Sequence, residues 1–173
     1  MKIYILLLFC GLMIIPFEQV AQTKDINKFY RKYKVKNNSH NITLPGWLIE
    51  IGANIARLSV DSPEEKESLK LLKKVNKLKL LVIEDDNPVK DKHIDKLFDG
   101  LKRDDFEDLV FVRDEVTRVN IMIREDQYKI KNLFILVREP SDFAMVSMKT
   151  NMTIAQINKV INLMEDELDT NLN

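Results

Sequence analysis

Enzymatic chemistry requires a nucleophile, a tunable acid or base, a set of metal ligands or a phosphate cradle at workable spacing. The 173-residue chain offers few such groups. Its two histidines, His40 and His93, are far apart, and neither has a histidine or cysteine three or four residues away with which to share a metal. Glu84-Asp85-Asp86 gathers carboxylates that could grip a hard cation. Calcium loops alternate their oxygens and turn on a glycine, however, whereas these carboxylates are consecutive and no glycine follows. Loop polarity accounts for them better, and the same holds for Asp104 and Asp105. The four glycines, Gly11, Gly46, Gly52 and Gly100, are too dispersed to cradle a phosphate. No nucleophile elbow, phosphate loop or dinucleotide fingerprint occurs. Triads assemble in space rather than in sequence, so His93 with a nearby carboxylate stands as the one candidate for acid–base catalysis. No catalytic, cofactor-binding or metal-binding residue is assigned, and no cofactor is expected.

Charge excludes further classes. Lys plus Arg equals Asp plus Glu at 27 each, a formal net charge of zero. A neutral chain has no general electrostatic reason to bind nucleic acid or anionic lipid. Lys66, Lys70, Lys73, Lys74, Lys77 and Lys79 form a local basic stretch, read as one basic helix over 66–79. It could meet an anionic membrane surface. With no aromatic residues interleaved, a solvated helix face with cations toward its C-terminus explains it better than an anion-binding patch.

The N-terminus reads as an address. Lys2 precedes an almost unbroken apolar run over 3–15, Pro16 breaks it, and a polar stretch follows. This is the three-part layout of a secretory signal peptide, and the run falls short of the ~20 residues a membrane span needs. Residues 1–22 are expected to be the leader, cut after Ala21 or Gln22, with membrane contact only if the leader stays uncleaved. Cys10, the only cysteine, lies inside it in a poor lipobox, since Phe9 stands where a small residue is required. Cleavage would leave the mature chain without disulfide, thiolate or cysteine-ligated metal chemistry.

The remaining elements follow from periodicity. Ile26, Phe29, Tyr30 and Tyr33 predict a helix over 24–34, and residues 41–44 are extended ahead of Pro45. Pro45 then opens a helix whose buried face is expected to be Trp47, Leu48, Ile51, Ile55 and Leu58, with Gly52 and Ala56 allowing close approach. Ser62-Pro63-Glu64-Glu65 is a helix start with a capping box, and Leu69, Leu72 and Val75 give the inner face. A strand follows over 78–83, then a helix through Ile94, Leu97, Phe98 and Leu101. From Leu109 the period becomes two, giving strands over 109–113, 116–124, 131–138 and 143–149 joined by short polar turns, the third nearly all apolar and so central. Asn151 and Thr153 begin a last helix through Ile154, Ile157, Ile161 and Leu168. The expectation is one α+β domain over 23–168 with a tail over 169–173. It has two layers: a mostly antiparallel sheet, made of a four-strand C-terminal meander and one or two earlier strands, with helices mainly on one face.

Four stretches carry a family resemblance: residues 29–34, 79–85, 119–126 and 133–139. In this order behind a leader they resemble the DUF4252 family of exported proteins of Bacteroidetes. The resemblance implies a cell-envelope address and brings no catalytic residues with it. Several family members are lipoproteins, and the poor lipobox sets this chain apart from them. Together these readings suggest a non-catalytic exported module that binds an envelope protein or an apolar ligand. The alternatives are an enzyme with an unfamiliar site or a membrane-surface protein using the basic helix.

Overall fold

The computed structural model describes residues 24–159. The leader with its cut near Ala21 and Gln22, the positions Ile161 and Leu168, and the tail 169–173 lie outside the described residues. The elements are α1 (Lys24–Tyr33), β1 (Ser39–Pro45), α2 (Gly46–Ser59), α3 (Pro63–Leu72), β2 (Val75–Ile83), α4 (Asp91–Arg103), β3 (Glu107–Arg113), β4 (Arg118–Asp126), β5 (Lys129–Arg138) and β6 (Phe143–Met152). A further helix begins over 154–159.

The strands form one six-stranded sheet in the order β1-β2-β6-β5-β4-β3, with every pairing antiparallel. The expected meander is β3 to β6, the two earlier strands extend it beside β6, and β5 is one of the two central strands. The α+β class and the antiparallel sheet are therefore as read, but helices pack on both faces of the sheet rather than mainly on one. Successive strand residues point to opposite faces, which separates two cores. On one face α1 and α4 pack over Leu81, Ile83, Met122, Phe134, Leu136, Phe143 and Met145. The four apolar positions expected on α1 are all buried there, as are those of α4. Tyr30 Oη ties α1 to the edge strand through the Ile42 carbonyl at 3.3 Å and Thr43 Oγ1 at 3.1 Å. On the other face a smaller core of Val75, Ile123, Ile130, Leu133, Met152 and Ile157 takes Ile49 from α2 and Leu71 and Leu72 from α3.

Two helix starts carry the caps their sequences offer, but Asn151, expected to begin the last helix, is a residue of β6. Ser62 Oγ accepts from the Glu65 N–H. Thr153 and Gln156 exchange bonds, with the Gln156 N–H donating to Thr153 Oγ1 at 3.3 Å and the Thr153 N–H to Gln156 Oε1 at 3.2 Å. This is a reciprocal capping box.

Several boundaries differ from the sequence expectation, two of them with consequences. The basic stretch is not one helix: α3 stops at Leu72 and β2 begins at Val75, so Lys77 and Lys79 are strand residues. The β4–β5 turn is also tighter than its charges suggest. Asp126 pairs with Lys129, and the loop is Gln127 and Tyr128 alone, both at positive φ (49° and 62°). A two-residue loop with both residues left-handed is the mirror-image turn that suits strand twist, and it favours Asn-Gly. Tyr128→Gly should therefore stabilise the domain by about 0.5–1 kcal/mol, read as a raised denaturation midpoint, because it removes left-handed strain from a side chain that is exposed anyway.

Candidate functional site

Helix α2 lies the opposite way round from its sequence reading. Trp47, Leu48, Ile51, Ile55 and Leu58, the expected buried face, are 64%, 40%, 48%, 61% and 87% exposed. At 100° per residue these five fall within an arc of about 100°, a continuous apolar stripe pointing away from the core. The cause is the small side of the same helix. A Cβ on Gly46 would stand 2.9 Å from both the Cα and the carbonyl oxygen of Asn76, so only glycine lets the helix start press on β2. Ala53 is buried and Ile49 reaches the smaller core, so the contact with the sheet is made by two small residues and one isoleucine. Gly52, expected to allow close approach, has nothing within 4 Å. Periodicity locates a stripe but cannot say which side of a helix a sheet will choose when the other side is small.

Beside α2 the sheet face is apolar over its whole width. Ile42, Leu80, Val146, Ile135, Ile121 and Val110 follow one another across all six strands. Val82, Ala144, Val137, Val119 and Val112 form the next row. None of these residues is fully buried. An antiparallel sheet with one wet face alternates apolar and polar residues, and this one does not. A contiguous apolar surface of this breadth is uncommon on the wet face of a sheet.

His93 occupies a different place. It lies in a cleft between α1 and α4 of about 230 Å³, lined by Asp25, Lys28, Phe29, Lys32, Lys96 and Leu97 besides itself. Its Nδ1 is 2.5 Å from Tyr33 Oη, and Lys32 Nζ is 2.9 Å from its Nε2. Burial, then the charges of Lys32, Lys92, Lys90 and Lys96, hold the imidazole below its ordinary value of 6.5. Its hydrogen-bond partners are a phenol and an ammonium, not the carboxylate that a general base would use for orientation. A base that loses affinity for its proton on folding contributes stability in full above its unfolded value, and that contribution is lost as pH falls through the folded one. Acidification below about 6.5 should therefore lower the urea midpoint. His93→Gln should flatten that part of the pH profile while leaving the midpoint near neutrality little changed.

The remaining candidates have structural duties. His40 meets Glu84 at 3.9 Å on the surface and shares no partner with His93. In the acidic triplet, Asp85 takes a left-handed turn conformation, and its N–H donates to the Asp142 carboxylate at 3.1 Å. The Ser141 hydroxyl and that N–H hold Asp142 below the usual carboxylate range. Asp104 caps α4, and Asp105 follows it at φ 61°. Among the described residues no three His, Cys, Asp or Glu groups converge to hold a metal, and no helix is long and apolar enough to cross a membrane.

A family model described as a domain of unknown function, DUF4252, matches residues 14–160, which bears out the resemblance read from the strands. No curated protein matches the chain.

Proposed function

The chain belongs to the DUF4252 family, and from that premise, which supplies no inherited activity, we propose that it is a non-catalytic interaction module of the cell envelope. The outward apolar stripe of α2 carries this reading: Trp47, Leu48, Ile51, Ile55 and Leu58 stand in solvent on a helix whose opposite side is already packed. Tryptophan is enriched at binding hot spots, and the uncharged aliphatics around it suit an apolar groove. The partner is an envelope protein with a complementary apolar groove, because a helix stripe at this spacing fits helix-in-groove recognition. Export rests on the leader, with its positive start, apolar run, helix-breaking proline and small residue before the cut.

The alternatives have less behind them. His93 shares its cleft with Asp25 but hydrogen-bonds to Tyr33 and Lys32 rather than to a carboxylate, which lends the enzyme reading little support. The membrane-surface reading loses its basic helix, since Lys77 and Lys79 stand on β2 rather than beside Lys66 and Lys70. A photo-crosslinking residue at position 55 of the full chain, activated in intact cells, tests the proposal. A discrete protein adduct is expected. Lipid adducts alone, or no adduct, would overturn it.

A further inference from the structure

A second site lies on the opposite face of the sheet, beside the first turn of α1. The register there sets Lys77 on β2, Lys149 on β6 and Asn132 on β5 directly across from one another. In the next row Lys79 stands opposite Ser147. Like charges directly opposite in a sheet repel, so Lys77 facing Lys149 is an arrangement the fold would not adopt for stability. These residues line a cavity of about 210 Å³ together with Ile26, Asn27, Asn132 and Ser147. A neighbouring hollow shares Asn27, Lys77 and Lys79 and adds Arg31 and Lys34. Neither lining includes a carboxylate. Among the described residues none of these five cations forms an ion pair with Asp or Glu.

The floor of the cavity is the telling feature. Asn132 is 2% exposed, and neither its Nδ2 nor its Oδ1 has a hydrogen-bond partner. A buried amide left unpaired on both atoms is costly, and native folds rarely tolerate it without a reason. Three strand pairings shift register beside this point: β2–β6 between Val75 and Lys77, β4–β5 between Arg124 and Glu125, and β5–β6 between Ile130 and Asn132. Such irregularities concentrate where a sheet re-aims side chains at a site. Lys79 is held at the mouth by Asn27 Oδ1 and by the face of the Tyr30 ring, 5.1 Å from its centroid. Burial, then the charges of Lys77, Arg31 and Lys34, depress its affinity for its proton, a penalty that a bound anion would relieve.

We propose that this cavity binds a small hydroxylated oxyanion. Lys77, Lys79 and Lys149 neutralise its charge, the Asn132 amide donates to one of its oxygens, and Asn132 Oδ1 accepts from its hydroxyl. A phosphate group that keeps one proton and a sugar acid share this chemistry, and both fit the volume. The site uses the face opposite the apolar rows and does not depend on them.

The test is thermal denaturation of the mature chain with inorganic phosphate or with glucuronate, each against sodium chloride at matched ionic strength. Saturating probe should raise Tm by a few degrees, since a ligand that binds only the folded state stabilises it by mass action. The arm that responds identifies the oxyanion. Asn132→Leu removes two polar atoms that have no protein partner, so it should fold at least as stably as the parent while binding about tenfold more weakly. Lys79→Gln should weaken binding to a similar degree, and it decides the matter if the leucine variant fails to fold. No shift with either probe would overturn the proposal. So would an equal shift in parent and variants, which would mark a non-specific salt effect.

Discussion

Phe134→Ala should cost about 3–5 kcal/mol of stability. Against the roughly 5–15 kcal/mol that holds a domain of this size together, that brings the protein near unfolding at physiological temperature. Phe134 sits on central strand β5 with no measurable exposure. It stands between Met122 on β4 and Ser147 on β6, and under Phe98 of α4, with ring centroids 6.3 Å apart and planes at 85°. Edge-to-face pairs add about 0.5–1.5 kcal/mol to the area they bury. Sheet neighbours held in hydrogen-bonded register cannot collapse into the void, so the cavity term is felt in full. Leu58→Ala is the control, a large apolar residue that is 87% exposed and whose truncation should stay within about 0.5 kcal/mol. Urea denaturation of both variants, followed by circular dichroism, gives the comparison. A cost below about 1 kcal/mol at Phe134 would mean that the main core does not lie between the sheet and the α1–α4 pair.

That core was legible in the sequence because periodicity and packing agree there. Ile26, Phe29, Tyr30 and Tyr33 recur at helical spacing, and all four are buried. The meander could be read because its turns are short, which forces consecutive strands to be neighbours. Legibility fails where two signals compete. In α2 the large apolar residues and the small ones occupy opposite sides, and the sheet took the small side because Gly46 lets backbone approach backbone. In the stretch 66–79 a run of lysines masks the change from helix to strand, since charge spacing carries no period of its own. On β4, Val119, Ile121 and Ile123 alternate with Asn120 and Met122, yet Asn120 and Met122 are buried while Val119 and Ile121 are only half-buried. The cavity around Asn132 showed in the sequence only as Lys77 and Lys79 of the basic stretch. Its residues come from α1, β2, β5 and β6 and meet only through strand register, which pattern alone does not determine.

The inversion of α2 leads to the second large effect. Ile51→Glu combined with Ile55→Glu should leave the unfolding midpoint within about 1 kcal/mol of the parent, because neither side chain is buried in the fold. The same pair should abolish partner capture. A carboxylate forced into an apolar groove without a counter-ion must be desolvated, at a cost of several kcal/mol, which corresponds to a loss of at least a hundredfold in affinity. Glu50→Gln tests the specificity of that loss. It lies on the polar flank of the same helix, 3.9 Å from Lys73, and exposed pairs of this kind contribute little. Capture should survive it. The combination of outcomes is diagnostic: stability lost together with capture would mean that the stripe is covered within the fold, as its sequence suggested. Capture lost with stability intact would place the binding energy on the surface that α2 turns outward. That separation follows from the packing itself, because a helix held by Gly46, Ile49 and Ala53 does not need its large side chains to stay in place.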